Sequence, residues 1–491
     1  MNYSPSFIHE FLRRLEGNTT SANEFPAYRA NDASDRQLLA TCSQPQSFLL
    51  GTGASIFTNC LIPAIVSARS EVIFVTCFWA RSKTLTALHD ALVKLAAHRR
   101  ALIRDAPSSG AASLPPLRIR ICMSSMRLLH PQSRNGYLYP PSSWEKRLGL
   151  PEPGLLEAAE VQLQVKSLFF LPLSVMHPKF VIVDRQRAFL PSCNVSWESW
   201  LEGCVEITGD AVRSLVSFYS RTWGDTMLDP EQQLVERAVH EDMSQNAADL
   251  AGLTFIQSTA HYRTTPLRGT LPTLVLPSPH HRNPRFRPFP WQKAPAPPAT
   301  PLNTVLLQLF EQAERSIYIQ TPNLTCEPVI ASLLDALARG VNVTIVTNRN
   351  MMLLEQLVTA GTTTAWCIRS LMRRFHRMKA AAEARTNLEA GPPTITGRLR
   401  ISYFRAKSTG ASPSDAEEPV HSHLKLTLVD AAYVVLGSGN MDRASWFTSQ
   451  ELGTLFHDRD FCARVKAGVD HVLEGRLDPV FDSGDEVYVG T

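Results

Sequence analysis

The chain has 491 residues and a formal net charge of +4. It is long enough for two or three domains, and its excess of positive charge is too small to argue by itself for a nucleic-acid partner. A composition that is 44% hydrophobic and 19% charged is that of a globular protein and excludes a disordered or fibrous one. Nine cysteines, odd in number and with no CxxC pair, give no sign of a disulfide framework or a structural zinc site. The expectation is a reduced, intracellular protein, cytoplasmic or on a membrane surface.

Residues 7–15 have apolar positions at helical spacing and predict a short amphipathic helix that caps the fold, with membrane anchoring as the alternative. The segment carries Glu10, Arg13 and Arg14, so it does not read as a secretory signal. Residues 17–50 are polar and weakly patterned. A first repeat starts near Gly51, with a helix over 56–68, a strand over 71–79, a helix over 85–98, a Ser/Gly/Pro/Ala loop over 106–116 and a strand over 117–123. The longest apolar run, 168–176, is about half of what a membrane-spanning helix needs. A strand starts at His177, others follow at Ala188 and over 204–208, and a helix covers 211–226. Residues 232–250 read as a charged helix. From 261 to 301 Pro, His and Arg accumulate, densest in 277–287, which reads either as a spacer or as a basic rim that meets a phosphate. The second repeat restates the first: helix 304–313, strand 315–321, helix 328–339, strand 341–347. A helical insertion over 352–384 follows, with Arg369, Arg373, Arg374, His376, Arg377 and Lys379. Its basic side is either a solvated face or a surface for anionic headgroups. A polar loop covers 406–420. The expected boundaries are 1–50 for the N-terminal segment, 51–228 for a first lobe, 229–300 for a connection and 301–491 for a second lobe.

The two repeats carry one motif. His177-Pro178-Lys179-Phe180-Val181-Ile182-Val183-Asp184 is followed by Ser192-Cys193-Asn194, and His423-Leu424-Lys425-Leu426-Thr427-Leu428-Val429-Asp430 by Gly437-Ser438-Gly439-Asn440. In both copies Lys stands two after His and Asp seven after it, while Ser and Asn follow the Asp by eight and ten (192 − 184, 438 − 430; 194 − 184, 440 − 430). One HxK is a weak signal, but two copies sharing five positions inside β-type apolar runs are not chance. Alternate side chains of a strand share a face, so each copy sets an imidazole beside an ammonium at a buried strand's edge. A Lys there needs an anion, and phosphate is a natural one, because imidazole can attack phosphorus.

On these residues the chain resembles the phospholipase D superfamily, whose mark is a duplicated HxKxxxxD followed by a GSxN-like stretch. Pro191 stands where the first copy would have Gly. Asn440-Met441-Asp442-Arg443-Ala444-Ser445 and Ile319-Gln320-Thr321-Pro322-Asn323 are similar to stretches of the cardiolipin synthase branch. The resemblance implies an α/β fold of two pseudo-twofold lobes, each a mainly parallel sheet with helices on both faces, and motif strands that meet between the lobes. It also implies phosphodiester cleavage through a phosphohistidine, with no metal and no cofactor. His177 is then the nucleophile and His423 the general acid. Lys179, Lys425, Asn194 and Asn440 hold the non-bridging oxygens, supported by Ser192 and Ser438. Glu206 and Glu451, 29 and 28 residues after their histidines (206 − 177, 451 − 423), are expected to fix the imidazole tautomers. Asp184 and Asp430, pointing to the other face, are expected to brace the lobes. The expected activity is that of a phosphodiesterase or phosphatidyltransferase on phospholipids, working as a monomer at a membrane surface. The competing readings are a nuclease or DNA-repair phosphodiesterase on the same scaffold and a non-catalytic binding protein.

Overall fold

A computed structural model describes residues 5–16, 33–105, 114–124, 137–170, 174–223, 262–264, 267, 269–278, 296–389, 396–407 and 418–484. The longer elements of the first half are α1 (Pro5–Glu16), β1 (Ala40–Thr52), β2 (Glu71–Thr76), α2 (Lys83–Asp105), β3 (Leu117–Ser124), β4 (Val161–Phe170), β5 (Phe180–Val183), β6 (Arg187–Pro191), β7 (Trp200–Thr208) and α3 (Asp210–Trp223). In the second half come β8 (Leu271–Ser278), α4 (Pro301–Gln312), β9 (Ser316–Gln320), α5 (Glu327–Ala338), β10 (Asn342–Thr347), α6 (Leu353–Ala360), α7 (Thr364–Glu389), β11 (Leu399–Phe404), β12 (Leu426–Val429), β13 (Tyr433–Gly437), α8 (Arg443–Phe447), β14 (Glu451–His457), α9 (Arg459–Leu473) and β15 (Leu477–Asp482).

The two lobes repeat one sheet. The first runs β4-β3-β2-β5-β6-β7-β1. The second runs β11-β10-β9-β12-β13-β14-β8, with β15 outside β11. In each, the first three strands pair in parallel and the rest antiparallel. The parallel pairs fall where a crossover helix intervenes, α2 between β2 and β3 and α5 between β9 and β10, as chain connectivity requires. Strand β2 is buried along its whole length and β9 along all but its first residue, which accounts for their almost unbroken apolar sequence. The chain is therefore an α/β protein of two duplicated lobes. Residues 40–43 of β1 also pair with β8, so the last strand of one sheet meets the last strand of the other. One core cluster runs through both lobes, from Phe48 and Val75 to Leu276 and Ile319. A second, around Phe57, Phe74 and Leu92, fills the outer side of the first.

Helix α1 buries Phe7, Phe11 and Leu15. It is fixed to α4 by Gln308 Nε2, which donates to the Phe7 carbonyl at 2.9 Å, and by the Arg14–Glu311 pair at 2.7 Å. Its apolar stripe thus caps the core. Two strands lie where the sequence gives only weak patterning: β1, most of it within the polar 17–50 segment, and β8, inside the Pro-rich 261–301 segment. Both owe their conformation to partners far along the chain. The insertion over 352–384 is two helices rather than one, because Gly361 closes α6 in the left-handed conformation (φ 66°), which glycine adopts without steric cost. Residues 232–250 and 279–287 lie outside the described residues, as does most of the polar loop before the second motif. No helix among the described residues is long and apolar enough to cross a membrane. All nine cysteines are free.

Candidate active site

Each motif histidine stands just before its strand, β5 or β12, and its backbone is tied to the other lobe. The His177 N–H donates to the Gln450 carbonyl at 3.0 Å, and the His423 N–H to the Leu201 carbonyl at 2.8 Å. The next residue on each acceptor strand is a glutamate. Glu451, opening β14, takes His177 Nδ1 at 2.9 and 3.0 Å. Glu202, in β7, takes His423 Nδ1 at 2.7 Å. Every imidazole is thus held by a carboxylate of the opposite lobe. With Nδ1–H committed to a carboxylate, Nε2 of each ring is left for chemistry.

The second glutamate oxygen is also held. Ser438 Oγ donates to Glu451 Oε2 at 2.5 Å, and Ser192 Oγ donates to Glu202 Oε2. The serine oxygens in turn accept the backbone N–H of Leu452 at 3.0 Å and of Gly203 at 2.9 Å. The serines, expected in a phosphate cradle, position the glutamates instead, and their protons are already used. The lysines are buried. Each Nζ donates to the carbonyl of its own motif histidine, Lys179 at 2.9 Å and Lys425 at 2.7 Å, which leaves two of three protons per ammonium. Asn194 Oδ1 accepts the Phe78 N–H at 3.1 Å. Asn440 Nδ2 donates to Asp442 at 2.9 Å, while its Oδ1 is buried without a partner.

Glu206 is not at the site. Arg187 binds its Oε1 at 2.7 and 2.9 Å, and Ser47 its Oε2 at 3.3 Å. Counting from the histidines misplaces it because the loops before the glutamate strands differ in length. Ser192 reaches Glu202 over 10 residues and Ser438 reaches Glu451 over 13, the longer loop containing α8. The strand register makes the match plain: Ser192 N–H donates to the Gly203 carbonyl and Ser438 N–H to that of Leu452, each directly after its glutamate. The sequence signal for Glu202 is Leu201-Glu202-Gly203 set against Gln450-Glu451-Leu452-Gly453.

Asp184 and Asp430 brace within a lobe, not between lobes. Asp184 accepts the N–H groups of Arg69, Ser70 and Glu71 at 2.8–3.1 Å, and Asp430 those of Glu314, Arg315 and Ser316 at 2.8–2.9 Å. Each ties its hairpin to the turn entering the neighbouring strand, β2 or β9. Both also occupy a left-handed position, φ 50° and 51°, followed by a second at Arg185 and Ala431. That is the type I′ pattern of a tight hairpin, which Asp tolerates.

Burial and the two lysines hold the His177 imidazole below its ordinary range against the pull of Glu451. Burial and the same lysines bring His423 down to about 4. Burial, then Lys179, brings Lys425 down to about 7, opposed by Glu202 and Glu451. Burial pushes both glutamates up, but the histidines, the serine hydroxyls and, for Glu202, Lys425 outweigh it and keep them low. In the resting site each Glu is ionised beside a neutral imidazole carrying Nδ1–H. An anion bound beside the lysines favours a further proton on an imidazole of this site. His423 is the more enclosed ring, its side chain 5% exposed against 16% for His177, and Trp200 packs on it at 4.8 Å between centroids. Among the described residues no group of three or more His, Cys, Asp and Glu converges as a metal site would.

Residues 306–473 match the family model described as cardiolipin synthase, phospholipase D-like domain. No curated protein matches the sequence. The structure is similar to that of phosphatidylserine synthase from Haemophilus influenzae (14% identity, 89% of each chain covered, TM-score 0.51). Weaker likenesses, too low to carry argument, are to a polyphosphate kinase from Porphyromonas gingivalis (9% identity, 90% of this chain and 50% of that one, TM-score 0.43) and to Nuc, a phospholipase D family member from Salmonella typhimurium (16%, 42% and 97%, TM-score 0.24).

Proposed function

We propose that the chain is a member of the phospholipase D superfamily and a phosphodiesterase or phosphatidyltransferase acting on phospholipids; the match of residues 306–473 to a cardiolipin synthase, phospholipase D-like domain and the fold shared by the two lobes with a phosphatidylserine synthase support this reading. The observation that carries this reading is the pair of imidazoles, each locked at Nδ1 by a carboxylate of the other lobe, beside two buried lysines. His177 Nε2 attacks phosphorus, forming a P–N bond as the bond from phosphorus to the leaving oxygen breaks. His423, protonated once the phosphodiester anion has entered, gives its Nε2 proton to that oxygen. It then takes a proton from water or an acceptor alcohol, whose oxygen attacks phosphorus and breaks the P–N bond. Lys179, Lys425 and the free amide protons of Asn194 and Asn440 receive the charge that builds on the non-bridging oxygens. The more open ring is the one assigned to attack. The lysines supply the counter-charge, so the reading includes no metal and no cofactor.

The test is turnover of phospholipids with and without glycerol or phosphatidylglycerol, in excess chelator, with products separated by mass and single-stranded DNA offered in parallel. Phospholipid cleavage that survives chelation is expected; cleavage of DNA alone would replace this reading with a nuclease. With a substrate bearing a good leaving group, His423→Ala is expected still to accumulate phosphohistidine, and His177→Ala none. Phosphate trapped on His423 would reverse the two roles.

A further inference from the structure

Helix α6 is turned inside out. Its polar Gln356 faces inward and is buried, bonding Asn323 at 2.9 Å and the Thr364 N–H and hydroxyl at 2.6 and 2.9 Å. Leu354 and Val358 stand on the opposite side, flanked by Leu353 and Leu357, and all four are exposed, Leu354 at 77%. An amphipathic helix of a globular protein buries its apolar face, and a contiguous exposed patch of this kind marks an interaction surface. Helix α7 begins four residues after α6 ends, and in its first turn Trp366 is 54% exposed. Beyond Trp366, Arg369, Arg373 and Arg377 follow at four-residue spacing, a stripe on one side of the helix. All three are exposed. Arg373 and Arg377 reach only carbonyls of their own helix, at 3.3 and 3.4 Å. Among the described residues no carboxylate pairs with any of the three.

The patch adjoins the site. Asn348, just before α6, holds both the carbonyl and the N–H of Ser422, at 2.7 and 2.9 Å, directly before His423. Arg443 of α8 donates to the Thr359 carbonyl of α6 at 3.4 Å. Glu355, open to solvent on one side, is pushed up to about 7 by the protein around it and by Asp442 and Glu451, which sets α6 within electrostatic reach of the catalytic glutamate. Across the mouth, Val420 is exposed and its N–H donates to the Ser199 carbonyl of the first lobe at 2.9 Å.

We propose that α6 and the first turns of α7 form a bilayer-docking face: the four aliphatic side chains and Trp366 enter the headgroup boundary, and Arg369, Arg373 and Arg377 meet anionic headgroups. An interfacial helix combines these features, and basic residues near an anionic surface add to its attraction. The choice of a bilayer over a protein partner rests on this charge complementarity, on the Trp between the apolar and basic parts, and on the phospholipid reading above, since docking here would set a headgroup at the histidines without lifting the lipid far from its membrane.

The experiment is co-sedimentation of the full chain with vesicles of phosphatidylcholine alone or containing phosphatidylglycerol. Wild type is expected to bind the anionic vesicles. The double variant Leu354→Glu with Val358→Glu is expected to lose at least about tenfold in partition, and Arg373→Glu with Arg377→Glu to lose the preference for phosphatidylglycerol. Unfolding temperatures are read alongside, and Trp366→Ala stands in for the double variant if that fails to fold. Wild type left in the supernatant, or variants that bind as tightly, would overturn the proposal. So would a dimer, seen by sedimentation velocity, that the Leu354 and Val358 changes dissociate, because the face would then belong to a second copy. Phospholipid turnover is measured in the same samples: binding without turnover sinks the substrate reading and keeps the docking face, and turnover without binding does the reverse.

Discussion

Glu202 and Glu206 lie on one face of β7, four residues and about 13 Å of strand apart, and only Glu202 reaches an imidazole. Its carboxylate keeps His423 in the tautomer that carries the proton on Nδ1. Glu202→Gln is therefore expected to lower kcat by about 10²–10⁴-fold, as loss of the orienting acid does in other imidazole-based sites, with little change in KM. Glu206→Gln, which loses only Arg187 and Ser47, is expected to stay within about threefold of wild type. Equal losses in the two variants would refute this pairing. The same enclosure sets a pH dependence. An imidazole brought from its ordinary 6.5 down to about 4 binds fewer protons folded than unfolded between those values, so its contribution to stability is complete above about pH 6.5 and is lost as pH falls toward 4. His177 acts in the same direction. The urea midpoint is expected to fall between pH 7 and pH 5, and less steeply in His423→Gln; identical pH slopes would count against a neutral buried His423.

The motif hairpins show why an aspartate closes each repeat at the scale of the element. Asp184 turns the chain through a left-handed position and binds three consecutive backbone N–H groups at the entrance to β2, as well as the Ser70 hydroxyl at 3.0 Å. Removing the acceptor leaves those donors unpaired and takes from the turn a residue suited to it. Asp184→Ala is expected to cost about 2–4 kcal/mol in urea unfolding, and Asp184→Asn less, because Asn tolerates the same backbone and still accepts. Specific activity of the folded Asp184→Ala protein should stay near wild type; its loss would place Asp184 at the reaction. Close approach matters between elements as well. A Cβ at Gly203 would stand 2.7 Å from Leu424 Cδ1, so glycine directly after Glu202 lets the second motif settle against β7.

On the scale of the whole molecule, the site exists only because the lobes exchange carboxylates, and that exchange predicts couplings between variants. In single turnover of a substrate with a good leaving group, adding Glu202→Gln to His423→Ala is expected to cost less than about threefold, since both act through one ring. Adding Glu451→Gln should cost its full effect, about 10²-fold or more, because it disturbs His177, the ring proposed to attack. The opposite pattern would mean that each lobe orients its own imidazole. The duplicated HxKxxxxD spacing, the strand–helix–strand order of both repeats and the placing of each His beside its Lys were legible in the sequence, because they depend on side-chain type and on period-two geometry over short stretches. Strands β1 and β8 were not, since weakly patterned or Pro-containing segments become strands only by pairing with partners far away in the chain. Nor were the pairing of His423 with Glu202, the use of the serines on the glutamates, or the outward apolar face of α6. Those follow from which strand of one lobe lies against the other, and a loop three residues longer in one repeat (13 against 10) is enough to defeat counting along a single chain.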